Sequence, residues 1–144
     1  MELTIGTNKK IEFIDITDEV NKAVKQCANA SGGKGAKYSG ICIVYVPHAT
    51  AGIIVNEYEP NIVDDYKTFY TNLAKTAKIS GRGEIEYKHN KIDNNAEAHL
   101  LASLTGPSKQ FIVKDCRLVL GTWQSIILCE FDGPRKRKVI VEVF

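Results

Sequence analysis

At 144 residues with a net charge of +2, the chain carries 19 basic against 17 acidic residues. That balance gives no electrostatic case for nucleic acid or an anionic membrane surface, and no apolar run approaches the length that spans a bilayer. A 44% hydrophobic fraction in a chain this long suits one packed domain over 1–144, burying about 68–70% of its unfolded surface without disulfide staples.

The first segment alternates Leu3 and Ile5 with polar neighbours, turns at Asn8-Lys9-Lys10 and continues as Ile11 to Ile16, which reads as a hairpin. Thr17 is placed as an N-cap, with Asp18 and Glu19 where negative charge suits the helix dipole. Val20, Ala23, Val24, Cys27 and Ala28 then mark one helical face. The helix is expected to end by Gly32-Gly33. The loop Ser31 to Gly35 lacks the glycine-to-lysine spacing of a phosphate-binding loop and reads as a connector.

Ser39 to Val46 is a nearly continuous apolar run, expected as a central strand with both faces covered. Pro47 stops it, His48-Ala49-Thr50-Ala51-Gly52 follows, and Ile53 to Val55 resumes as a strand. Pro60 opens an amphipathic helix in which Ile62, Tyr66, Phe69 and Leu73 recur beside Val63, Tyr70 and Ala77. Residues 80–95 form a long polar segment holding Tyr87, His89, Asp93, Asn94 and Asn95, and long polar loops inside compact domains are functional or disordered. A short helix from Ala96 to Leu104 places Leu100, Leu101 and Leu104 on one face and His99 opposite. Three strands close the chain, Gln110–Lys114, Gln124–Phe131 and Val139–Phe144, with Asp132-Gly133-Pro134 turning between the last two. The expected architecture is α+β: a mixed β-sheet or partly closed barrel with helices packed outside.

Chemistry-bearing residues are few. His48, His89 and His99 are the three histidines. They have no short metal-binding spacing, so a metal centre requires long-range convergence, with Asp93, Glu57 and Cys116 as further ligands. Arg117 and Arg135 have the fork geometry to grip a phosphate, against the plain alternative of surface ion pairs, since Glu130 and Asp132 lie close to Arg135 and Arg137 across the expected turn. Trp123 can stack on a heteroaromatic ring, although a lone tryptophan beside a strand is more often core. The run Arg135 to Lys138 reads as a solvated strand edge. Cys42 and Cys129 lie in apolar runs and read as buried hydrophobes. The chain opens with no basic or apolar leader, so reduced thiols and a cytoplasmic location are expected.

These words also occur together elsewhere. Pro47-His48-Ala49-Thr50-Ala51 at a strand end, then Glu57, then Tyr87-Lys88-His89, then Asn95-Ala96-Glu97-Ala98-His99-Leu100, resemble in order the motifs of the YjbQ family. Arg117-Leu118, Leu120-Gly121-Thr122-Trp123-Gln124 and Leu128 to Arg137 resemble its C-terminal signature. The resemblance covers nearly the whole chain. One departure is Ala49, where the family has a hydroxylated residue.

The resemblance implies a homotrimer with a pocket near His48, His89 and His99, set between subunits. It also implies secondary thiamine-phosphate synthase activity: joining hydroxymethylpyrimidine diphosphate to a thiazole phosphate with release of pyrophosphate. On that reading His48, His89, His99 and Glu57 are catalytic candidates. Arg117, Trp123, Arg135, Thr50 and Asn95 are binding candidates, and the three histidines are ligands for a divalent metal, zinc or magnesium. A His-ligated metal-dependent hydrolase, with Glu57 or Asp93 as general base, and a binding protein for a small phosphorylated metabolite remain as alternatives.

Overall fold

A computed structural model describes residues 1–32, 38–75 and 86–144, with side chains omitted for 27–32 and 75. The elements in order are β1 (Glu2–Gly6), β2 (Glu12–Asp15), α1 (Thr17–Gly32), β3 (Gly40–Tyr45), β4 (Ala51–Asn56), α2 (Pro60–Lys75), a single 3₁₀ turn (Lys88–Lys91), α3 (Ala96–Thr105), β5 (Ser108–Lys114), β6 (Arg117–Leu118), β7 (Ser125–Glu130) and β8 (Lys136–Val143). The α+β class and the curled, half-closed sheet match expectation, and every described strand pairing is antiparallel.

Five strands in the order β1-β8-β3-β5-β6 form one sheet and three, β2-β7-β4, form a second. This overturns the N-terminal hairpin. β1 pairs with β8, while β2 pairs with β7. The two ends of the chain run side by side as one ribbon that bends from the first sheet into the second. At the bend Thr7 N–H donates to the Arg135 carbonyl at 2.8 Å, and Gly133 N–H donates to the Lys10 carbonyl at 3.0 Å. Asn8-Lys9-Lys10 is therefore a crossing and not a hairpin tip, and Asp132-Gly133-Pro134 is the matching crossing between β7 and β8. A Cβ on Gly133 would meet the Lys9 carbonyl oxygen at 2.2 Å, so only glycine lets the two crossings touch.

Side chains alternate across the inner sheet and fill two cores. Ile126 and Leu128 of β7 join Ile53, Val44, Val139, Val141 and the α1 residues Val20, Ala23 and Val24 between the sheets. Ile127 and Cys129 face the other way, onto Phe13, Val63, Tyr66, Ala98, Leu101 and Phe131 beneath α2 and α3. β7 is thus covered on both faces. β3 is not, because Ile41 is 49% and Tyr45 41% exposed on the outer face of the five-stranded sheet. Cys42 and Cys129 are buried, as their apolar surroundings suggested, and burial pushes the Cys129 thiol far up.

Other details depart from expectation. Leu100 and Leu104 are exposed, and the buried face of α3 is Ala96, Ala98, Leu101, Ala102 and Thr105. Small residues win because α3 lies close against β4: a Cβ on Gly52 would meet the Gly106 carbonyl oxygen at 2.7 Å. Phe69 and Leu73 of α2 are likewise exposed, since Val63, Tyr66 and Tyr70 carry the packing. Thr17 does not cap α1 with its own hydroxyl. Asp15 Oδ1 accepts the Thr17 N–H at 2.9 Å, and the Thr17 hydroxyl accepts Ile126 N–H at 2.8 Å, pinning the helix start to β7. A fourth C-terminal strand, β6, follows the tight turn at Asp115 and Cys116. Residues 33–35 of the expected connector, residues 80–85 of the polar segment and Ala77 lie outside the described residues, as do the side chains of Cys27 and Ala28.

Candidate functional site

The polar segment and α3 bring two of the histidines together. His89, in the 3₁₀ turn, lies edge-on to His99, with ring centroids 4.8 Å apart and planes at 79°. His89 Nε2 is buried and, among the described residues, has no hydrogen-bond partner. The turn is held against the helix by Asn90, whose Oδ1 accepts the Ala96 N–H at 2.8 Å at the start of α3. Asn95 occupies the N-cap position without a capping side-chain bond, and Asn90 supplies that bond instead, leaving the Asn95 side chain for another partner. Asn95 Nδ2 donates to Asp132 Oδ2 at 3.1 Å, while Asn95 Oδ1 is buried and unpartnered. Asn95 and His99 are four residues apart, so they share one face of the helix.

From Asn95 a hydrogen-bonded chain crosses the bend. Arg135 Nη2 donates to Asp132 Oδ2 at 2.7 Å, an exposed arginine gripping a half-buried carboxylate. Burial raises the Asp132 carboxyl. The bonds from Arg135 and Asn95, with the positive field of Arg135 and Arg137, outweigh that and leave it below the ordinary carboxylate range. Asp132 N–H donates to Glu130 Oε1 at 2.8 Å. Glu130 is fully buried and paired with buried Arg137, whose Nε donates to Oε2 at 2.7 Å and whose Nη2 donates to Oε1. Thr7 Oγ1 donates to Glu130 Oε2 at 3.1 Å, and Arg137 Nη2 donates to Thr50 Oγ1 at 2.8 Å. Thr50 is thereby occupied inside the protein.

Sequence reading saw a surface ion pair in Arg135–Asp132 and found it. Glu130 and Arg137, expected close together as surface charges across the turn, instead form a buried pair, so Arg137 breaks the solvated character of the run 135–138. The signal was the alternation: Arg137 is in phase with Val139 and Val141, and Glu130 with Ile126 and Leu128, so both point between the sheets.

His48 lies two residues before Thr50, where this hydrogen-bonded chain ends. Beyond Tyr45, β3 leaves β8, and the imidazole replaces the lost ladder partner: Lys138 N–H donates to His48 Nε2 at 2.8 Å. Accepting at Nε2 puts the proton on Nδ1 and requires the neutral ring. Burial, then the positive charge of Arg137, hold the His48 pKa below its ordinary value, against a smaller opposing pull from Glu130. The three imidazoles are thus not gathered at one point within the chain. Two touch, and the third is bonded to the backbone of Lys138, next in sequence to the Arg137 that pairs with Glu130 and Thr50. Among the described residues no group of three His, Cys, Asp or Glu side chains is placed to hold a metal ion.

The remaining candidates lie elsewhere in the chain. Ala51 faces Glu130 at one end of β4 and Asn56 faces Ser125 at the other, which sets Glu57 and the segment before β7 at the end opposite Thr50. At about 3.3 Å per residue, the five steps from Ala51 to Asn56 separate those ends by roughly 17 Å. Trp123, a stacking candidate whose plain alternative was a place in the core, is 72% exposed in that segment, in a turn closed by Gln124 Oε1 accepting Gly121 N–H at 2.8 Å. Arg117 is exposed on β6 at the edge of the larger sheet, opposite Lys114 and at the Gly40 end of β3.

Fold and site together define an antiparallel α+β half-barrel with a histidine pair at the mouth of a polar network. The family profile described as "UPF0047 protein YjbQ-like" matches residues 1–144. The chain belongs to the YjbQ/UPF0047 family. It is 42% identical over 142 residues to a UPF0047 protein of Archaeoglobus fulgidus, covering 99% of this chain and 98% of that one. It is 35% identical over 142 residues to the UPF0047 protein YugU of Bacillus subtilis, covering 98% and 96%. Among solved structures it is similar to a YbjQ-like protein of unknown function from Sulfolobus solfataricus, at 36% identity and TM-score 0.83 over 99% of this chain and 94% of that one. It is also similar to an uncharacterised conserved YjbQ/UPF0047 protein from Clostridium acetobutylicum, at 38% identity and TM-score 0.82 over 100% and 99%.

Proposed function

We propose that the chain is an enzyme acting on a small phosphorylated metabolite, with His89 and His99 as its proton-transfer pair. The supporting observation is the edge-on contact of the two imidazoles at 4.8 Å beside a buried, unpartnered His89 Nε2. A buried nitrogen without a partner is costly unless a ligand completes it. The reaction we assign is the one the family resemblance implies. The thiazole nitrogen of one substrate forms a C–N bond to the methylene carbon of hydroxymethylpyrimidine diphosphate as the C–O bond to pyrophosphate breaks. A protonated imidazole of the pair donates to the departing pyrophosphate oxygen, and Arg135, at the exposed end of the Asp132 network, supplies positive charge beside it. Arg117, Trp123 and Glu57 then come from a neighbouring subunit of a homotrimer. The open outer face of the five-stranded sheet, with Ile41 paired to Ile112 and both exposed, supports such an assembly.

The test is a coupled pyrophosphate-release assay on purified protein, run with His99→Ala and His89→Ala. A wild-type rate no higher than that of the variants ends this reading. Sedimentation showing only monomer removes the contribution from a neighbour.

A second reading rests on the same orphaned nitrogen. His89 Nε2, with His99 beside it, fits two of the nitrogen ligands that a divalent metal takes, and the metal would supply Lewis-acid chemistry there. His48 could join only through Nδ1, because Nε2 is committed to Lys138. Elemental analysis without a transition metal, together with a melting temperature unmoved by chelator, removes this alternative.

A further inference from the structure

Between α2, α3 and the segment leading into β2 lies a cavity of about 320 Å³, at the small end of metabolite clefts. Ile11, Ala98, Leu101 and Phe131 give it apolar surface. Thr71 and Asn94 add neutral polar groups, and the lining also carries one residue of each charge, Lys10 and Glu97.

Those two charges do not satisfy each other. Among the described residues no ion pair joins Lys10 to Glu97, and Lys10 has no other acidic partner. Glu97 has one long bond, Asn90 Nδ2 donating to its Oε1 at 3.4 Å, which leaves most of the carboxylate's accepting capacity unused. Both residues are held by their backbone. The Lys10 carbonyl accepts Gly133 N–H at 3.0 Å where the two crossings touch, and Glu97 sits in the first turn of α3, which Asn90 Oδ1 ties down through Ala96 N–H. The cavity thus combines a fixed anion, a tethered cation and an apolar surface. A ligand with a single charge would meet its like as well as its opposite. One with both signs on a short apolar body satisfies the two together.

We propose that this cavity binds a small zwitterion with an apolar side group, an α-amino acid of the leucine type. Its carboxylate is directed to Lys10, its ammonium to Glu97, and its side group packs on Leu101 and Phe131. The proposal does not rest on His89 or His99, and the pyrophosphate-release assay reads those separately, so either reading can fail alone.

The test is a titration of the full ¹⁵N-labelled chain with three probes. L-Leucine carries both charges, 4-methylpentanoate lacks the ammonium, and 3-methylbutylamine lacks the carboxylate. Leucine is expected to shift the Ile11, Ala98 and Leu101 backbone signals and to bind about fivefold more tightly than either relative, the upper range for a partly exposed ion pair. Lys10→Met is expected to remove the preference for leucine over the amine and to keep that over 4-methylpentanoate. Glu97→Gln, which retains an acceptor for Asn90, should do the reverse. This crossed pattern assigns each end of the ligand, and a general loss of folding would not produce it. The three-probe ranking on the unaltered chain tests the proposal without any variant. No shift with leucine, equal affinity for the three probes, or preferences that survive both substitutions overturns it.

Discussion

The imidazole of His48 accepts the backbone N–H of Lys138, so a side chain takes over a sheet hydrogen bond where β3 turns away from β8. Only the neutral ring can do this. The folded-state pKa lies below the ordinary value, so the unfolded chain binds the proton more readily. Stability from this contact is therefore present above about pH 6.5, the unfolded value, and is lost as the pH falls through the depressed folded value. Replacement by His48→Gln, which keeps an acceptor that does not titrate, is expected to flatten this limb of a melting-temperature profile between neutral and mildly acidic pH. NMR titration of His48 should give a midpoint below 6.5. A midpoint above it would refute the account.

The buried pair Glu130–Arg137 makes a sharper prediction about stability. Arg137→Met leaves a carboxylate at 0% exposure without its partner, at a cost of about 3–5 kcal/mol in urea unfolding. The double variant Glu130→Leu with Arg137→Met should recover most of that loss, because the removed charges no longer need each other. If the double variant is as unstable as the single one, the pair is needed for something besides mutual neutralisation, namely its bonds to Thr7, Thr50 and Asp132 N–H.

Gly52 tests the seating of α3. An added methyl would sit 2.7 Å from the Gly106 carbonyl oxygen and 2.9 Å from Thr105 Cβ. Gly52→Ala is expected to cost about 1–3 kcal/mol and to shift His99 relative to His89, visible as changed imidazole signals. Gly6→Ala, where nothing lies within 4 Å, is the control.

Asn90→Ala should loosen the turn that carries His89. It removes the acceptor for Ala96 N–H, at about 0.5–2 kcal/mol of stability. If the histidine pair performs proton transfer, the rate should fall further than the lost stability accounts for at a temperature where the variant remains folded. His99→Ala should lower kcat by about 10²–10⁴-fold, the usual range for a positioned acid or base.

Periodicity located the helices well: Pro60 does open α2, and Ala96 does open α3. It failed where contacts between distant segments decide. Leu3 and Phe13 lie in strands that alternate like the two arms of a hairpin, yet they belong to different sheets, because a local turn signal says nothing about a partner more than a hundred residues away. β3 and β7 look alike as apolar runs, and only the stacking of layers shows that β7, unlike β3, is covered on both faces. The edge-on meeting of His89 and His99 was legible as shared motif membership but not as spacing, since a 3₁₀ turn and a cap from Asn90 set it. Glu130 and Arg137 were hidden by a bland rule about charges near turns, although their phase in the strand pointed inward.

β8 lies between β1 and β3 in the larger sheet, although it is synthesised last. During translation, the opening strand must wait for the final stretch before it finds its neighbour, and β3 waits for one of its two. Such closure of distant segments is slow, and until it happens the apolar flanks of β1 and β3 stand open to other chains. Yield on expression should therefore respond to chaperone supply more than the melting temperature of the finished protein would suggest.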